Sequence, residues 1–107
     1  MTTHLELRGQ ILSELKNIIA QTLCNEDVTV YLFGSWARNE EKQSSDIDIA
    51  VESHYQLPPS KWLELHERIE ESIIPYNVDI VNLDDASSAL IQNVKREGII
   101  WKDYKNE

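Results

Sequence analysis

The sequence predicts a small mixed α+β domain, an α/β mixed sheet with helices packed on one face. Three observations predict it. Apolar residues recur at helical spacing in three stretches, and short β-branched runs lie between them. The elements follow in the order α-β-β-α-β-α-(β), which fits a sheet covered by helices. The 107 residues, 41% hydrophobic and 27% charged, have the length and balance of one globular domain spanning 1–107, without repeats or linkers. A chain of this size buries roughly 60–70% of its unfolded surface, enough for one modest core.

The first helix runs from about Leu5 to Cys24. Ile11, Leu12, Leu15, Ile18 and Ile19 form its apolar stripe, and Asn25-Glu26-Asp27 ends it as a turn. Val28-Thr29-Val30-Tyr31-Leu32-Phe33 is the first strand and stops at Gly34-Ser35. Trp36-Ala37-Arg38 is positioned to begin a short helix. Asp46 to Val51 is the second strand. After the loop ending in Pro58-Pro59, Ser60 is a reasonable N-cap. Trp62, Leu65, Ile69 and Ile73 then mark a second helix to about Ile74, stopped by Pro75. Val78-Asp79-Ile80-Val81 is a third strand. Asp84 or Asp85 caps a third helix with Leu90, Ile91 and Val94 on its apolar face, and Gly98 is its expected C′ residue. Ile99-Ile100-Trp101 forms a last edge strand.

Charge narrows the function. With 19 acidic residues against 10 basic, the formal charge is −9. Nucleic-acid binding draws most of its affinity from Lys and Arg neutralising phosphates, so direct binding of DNA or RNA is disfavoured. A mononucleotide arriving with its cation, or a basic protein partner, is compatible. One cysteine, Cys24, precludes an internal disulfide and reads as a small buried thiol in a reducing, cytoplasmic setting. The N-terminal residues lack the basic and apolar regions of a signal peptide. No apolar run approaches the ~20 residues that span a bilayer.

The chemistry concentrates between Leu32 and Val51. Successive strand side chains alternate between faces, so Asp46 and Asp48 share one face if their segment is a strand, while Ile47, Ile49 and Val51 take the other. Two carboxylates on one face repel unless a cation sits between them. A hard divalent cation such as Mg²⁺ takes oxygen ligands of this kind and shares them with phosphates. Gly34 permits positive φ or close approach to a ligand, Ser35 adds a hydroxyl, and small turns with outward N–H groups cradle anions. Together the halves point to a metal–nucleotide site.

The joint motif, Gly34-Ser35 followed after residues 36–45 by Asp46-Ile47-Asp48, resembles the signature of DNA polymerase β-type nucleotidyltransferases. More narrowly, Gly34-Ser35-Trp36-Ala37-Arg38 and Ser45-Asp46-Ile47-Asp48-Ile49-Ala50-Val51 resemble the minimal nucleotidyltransferases of MNT, or MntA, type, which are encoded beside small helical HEPN proteins. The likeness extends over nearly the whole chain. It implies a polymerase β-like palm and AMP transfer from ATP, with one or two Mg²⁺ ions, to a tyrosine of a partner HEPN toxin. The chain would then be the antitoxin of the pair. The family pattern has Gly after Ala-Arg, whereas this chain has Asn39, the non-glycine residue that best tolerates left-handed backbone.

Asp79 is a charge in an otherwise apolar strand, costly if buried without a partner or metal. Either it lies on an exposed strand face, or it converges with Asp46 and Asp48 on the metal and accepts the nucleophile's proton. The resemblance implies the second, with Asp79 as third acidic ligand. Gly34 and Ser35 would hold the β- and γ-phosphates. Arg38 would clamp a phosphate or pair with a nearby carboxylate. Lys42 reads as a solvated loop residue. Trp36 and Trp62 read as packing residues. His4, His54 and His66 are too scattered to be a metal set. Two other functions fit the same residues: a non-catalytic antitoxin acting by complex formation alone, and nucleotidyl transfer to a small molecule presented by a partner subunit.

Overall fold

In the computed structural model, described over residues 4–42 and 44–102, the order is α1 (His4–Thr22), β1 (Val28–Phe33), β2 (Ile47–Ser53), α2 (Pro59–Glu70), β3 (Val78–Asn82), a 3-10 turn (Leu83–Asp85), α3 (Ser88–Glu97) and β4 (Ile99–Lys102). The four strands form one mixed sheet in the order β3-β2-β1-β4. β1 runs antiparallel to β2 and β4, while β2 and β3 are parallel. A parallel pair needs a crossover rather than a hairpin, and the segment containing α2 supplies it.

The chain divides into two compact units. One contains α1 and α2, which pack together. Ile11, Leu15 and Ile19 of the expected stripe are buried, as are Leu65 and Ile69 of α2. The other contains the sheet and α3. Its strands alternate as the sequence predicts. Tyr31 and Ala50 form one cluster with Leu83 and with Val94 of α3, while Ile47, Ile49 and Val51 point the opposite way and are fully buried. One face of β1 and β2 therefore packs under α3 and also carries Asp48 near its edge.

Several expected boundaries are corrected. Pro58, not Ser60, occupies the N-cap of α2, where a proline opens the helix without a side-chain cap. α2 ends at Glu70 rather than Ile74, because Ser72 turns its hydroxyl back onto the Ile69 carbonyl. Ile73 consequently leaves the stripe and is 88% exposed. Asp84 and Asp85 do not cap α3. Asn82 caps the 3-10 turn, and the Ser87 hydroxyl accepts from the Leu90 N–H to start the helix. Gly98 sits at the C-cap with extended backbone rather than as a left-handed C′ residue. Cys24 is exposed rather than buried, since α1 stops before it. No helix among the described residues is long and apolar enough to cross a membrane.

Candidate active site

The site grows from the end of β1. Phe33 is the last residue paired with β2, and its partner is Asp48. Gly34 then turns the chain away with φ 76°, and its backbone lies so close to Asp48 that a Cβ would collide with Oδ2 and stand 3.2 Å from Cγ. Only glycine meets both demands.

The expected helix at Trp36-Ala37-Arg38 does not form. The segment is a tight turn in which the Ala37 and Arg38 N–H groups donate to the Gly34 carbonyl at 3.1 and 3.2 Å, and the Glu40 N–H donates to the Ser35 carbonyl at 2.9 Å. Asn39 takes φ 59°, the left-handed geometry expected of it, and this reversal ends the coil after one turn. Trp36 is a packing residue. It is 2% exposed, meets Tyr76 edge-on with ring centroids 5.1 Å apart, and donates from Nε1 to the Ser45 carbonyl at 3.3 Å. That last bond ties the glycine turn to the residue before Asp46. Sequence reasoning assigned Trp36 to packing but not this tether, for which there is no local signal.

Asp48 belongs to β2 and faces Asp79 of β3 directly in the parallel register. Asp79 is exposed, and it shares the face of its register partner Asp48. Asp46 is exposed and lies one residue before β2, so its common direction with Asp48 is not enforced by strand pleating. Burial pushes the Asp48 carboxyl above its ordinary range, the negative charges of Asp79 and then Asp46 push it further, and Arg38 partly opposes them. Among the described residues none of the three aspartates has a salt-bridge partner, and no three acidic, His or Cys side chains already close round a metal position. The three carboxylates offer only oxygen donors, Arg38 offsets their charge only in part, and Asp48 resists ionisation. Asp48 and Asp79 are oxygen donors of the kind a hard divalent cation takes, and its charge would oppose the repulsion that raises Asp48.

Arg38 is engaged by carboxylates. Its Nε donates to Glu40 Oε1 at 2.9 Å, and Nη1 lies 3.5 Å from Glu97 Oε2. Of the two roles expected, pairing is the one seen. Glu40 was legible as a neighbour in sequence, whereas Glu97 arrives from α3 and carries no sequence signal. Lys42 is exposed, as expected. The histidines do not gather: His54 shares a hydrogen bond with Thr29 at 3.1 Å, His66 is exposed, and the His4 side chain lies outside the described residues.

The site is thus a glycine turn pressed against a strand aspartate, with a second strand aspartate opposite. The chain matches the polymerase beta nucleotidyltransferase family over residues 13–107 and belongs to it. It is 38% identical over 69 residues to the protein adenylyltransferase MntA of Shewanella oneidensis, covering 64% of this chain and 49% of that relative, so the match spans about half the relative's length. A Haemophilus influenzae relative named "Probable protein adenylyltransferase MntA" is 27% identical over 99 residues, covering 92% of this chain and 85% of the relative. Among solved structures, a toxin–antitoxin crystal structure with AMP-PNP superposes with a TM-score of 0.66 at 32% identity, over 82% of this chain and 73% of that one. A tri-AMPylated HEPN toxin of S. oneidensis in complex with its MNT antitoxin gives 0.60 at 30% identity, over 85% and 71%.

Proposed function

We propose that this chain is a Mg²⁺-dependent protein adenylyltransferase that moves AMP from ATP to a tyrosine hydroxyl of a helical HEPN toxin, acting as the antitoxin of the pair. The observation that carries the reading is the apposition of Asp48 and Asp79 beside the Gly34 turn. The AMPylated HEPN toxin held by an MNT-type antitoxin supports the acceptor class, and the AMP-PNP complex supports the nucleotide.

Asp46 and Asp48, with Asp79, would hold the cation. When bound it would offset phosphate charge and lower the pKa of an attacking hydroxyl. Gly34 brings its backbone, and Ser35 its hydroxyl, to the β- and γ-phosphates. The acceptor oxygen attacks the α-phosphorus, an O–P bond forms, and the bond from that phosphorus to the bridging oxygen breaks. Pyrophosphate leaves with the bond's electron pair. Asp79, exposed at the edge of the carboxylate group, accepts the hydroxyl proton. The protein's contribution is position and charge. Transfer to a partner also suits a net charge of −9, for which a basic protein surface is a better match than nucleic acid.

The test is the intact mass of a candidate HEPN toxin, sought beside the gene for this chain, after incubation with it, ATP and Mg²⁺. A gain of one or more AMP units, abolished by Asp46→Asn or Asp48→Asn, is expected. A stable complex without mass gain would replace the reading with neutralisation by contact.

A further inference from the structure

Arg38 is bound by two elements that meet only in the fold. Glu40 is fixed two residues along by its own N–H bond to the Ser35 carbonyl. Glu97 is delivered by the last turn of α3. The next residue, Gly98, lies against β1, where a Cβ would collide with the Val94 carbonyl and stand 3.3 Å from Tyr31 Cβ. The absent side chain lets α3 end flush on β1, close to the Gly34 turn, and this puts the Glu97 carboxylate beside Arg38. Glu40 takes the Nε donor, and the Glu97 carboxylate stands in ion-pair range of Nη1. The Nη2 donors are engaged by neither. Both ion pairs are substantially exposed, with Arg38 at 42%, and such pairs add little to stability. They also put two negative charges on the guanidinium whose charge partly opposes the rise of the Asp48 carboxyl.

We propose that Glu97, with Glu40, is a positioning residue that fixes the Arg38 guanidinium so that Nη2 is presented to a phosphate oxygen of nucleotide bound at Gly34-Ser35. The inference rests on the nucleotide-site reading above and deepens it. A long side chain immobilised before binding loses less entropy when the ligand arrives. The two carboxylates are thus retained for orientation despite their repulsion of a triphosphate.

The sign of the effect separates this role from plain electrostatics. The affinity of AMP-PNP with Mg²⁺ is measured calorimetrically for the wild type, Glu97→Ala, Glu97→Gln, Arg38→Gln and the Arg38→Gln/Glu97→Ala double variant. Positioning predicts that Glu97→Ala weakens binding about two- to tenfold, the range for re-ordering one long side chain. Glu97→Gln, which keeps the length but loses the charge that draws Nη1 across 3.5 Å, recovers little of it. In the Arg38→Gln background, Glu97→Ala has no further effect. Unchanged or tighter binding by Glu97→Ala, or a loss that persists without Arg38, overturns the proposal. A wild type that fails to bind the probe overturns the nucleotide-site reading itself, an outcome distinct from an indifferent Glu97.

Discussion

Asp48 and Asp79 stand directly opposite one another across the parallel β2–β3 pair, on one face of the sheet. Parallel pairing makes this unavoidable once Ile47 is set against Val78, because facing residues in register point the same way. Like charges so placed destabilise a sheet, and Asp48 has no salt-bridge partner among the described residues. The fold therefore carries a local cost that a bound cation can offset.

That cost should appear as pH-dependent stability. The Asp48 carboxyl is raised by burial first and by Asp79 and Asp46 next. The folded state thus holds a proton that the unfolded state has released, over the interval between the ordinary value and the raised one. Its contribution is most favourable below that interval and is lost as pH rises through it. In EDTA, Asp48→Asn should gain melting temperature over the wild type as pH increases from about 4 toward neutrality, with the two converging at the acid end. A gap constant across pH would refute the assignment. Added Mg²⁺ should narrow the neutral-pH gap by stabilising the wild type selectively.

Gly34→Ala tests the turn. The left-handed φ alone costs about 1–3 kcal/mol for a residue with a Cβ, and here the new carbon also displaces the Asp48 carboxylate. Urea unfolding should show a loss of that order. Because the atom displaced is the central carboxylate, nucleotide transfer should fall much more than the loss of folded protein explains. Proportional losses would mean that the turn is only structural.

Trp36 links packing to the site. Trp36→Ala removes a fully buried ring and should cost about 3–5 kcal/mol, enough to threaten folding. Trp36→Phe retains most of the contact with Tyr76 but deletes the donor to the Ser45 carbonyl. The fold should persist by circular dichroism while Mg²⁺-dependent nucleotide binding weakens, since the segment entering Asp46 loses its tether. Unaltered binding in a folded Trp36→Phe protein would show that Asp46 is held by other contacts.

Asn39→Ala should destabilise the turn by about 1–2 kcal/mol because alanine tolerates φ 59° poorly, whereas Asn39→Gly should be neutral or slightly stabilising. Thermal melts of the two variants would distinguish them. Equal melts would indicate that the turn relaxes to another conformation.

The amino-acid sequence alone determined the features that depend on local periodicity and on residue chemistry. Ile47, Ile49 and Val51 alternate with Asp48, so the second strand and its two faces were legible. Gly34 marked the strand end, and Asn39 the left-handed position. Caps and helix ends were less legible. Asn82 and Ser87 compete with neighbouring aspartates of equal capping propensity, and Ser72 ended α2 through a bond that no helical repeat announces. Tertiary structure alone decided the rest. The sequence left Asp79 between an exposed face and a shared site. The β2–β3 register set it, exposed, on the face of Asp48, because residues opposed in a parallel pair share a face wherever they lie in sequence. Likewise the approach of Glu97 to Arg38 and of Trp36 to Ser45 joins residues that no sequence spacing relates. Such contacts follow from the packing of α3 and the glycine turn onto the sheet, and packing is a property of the folded chain as a whole.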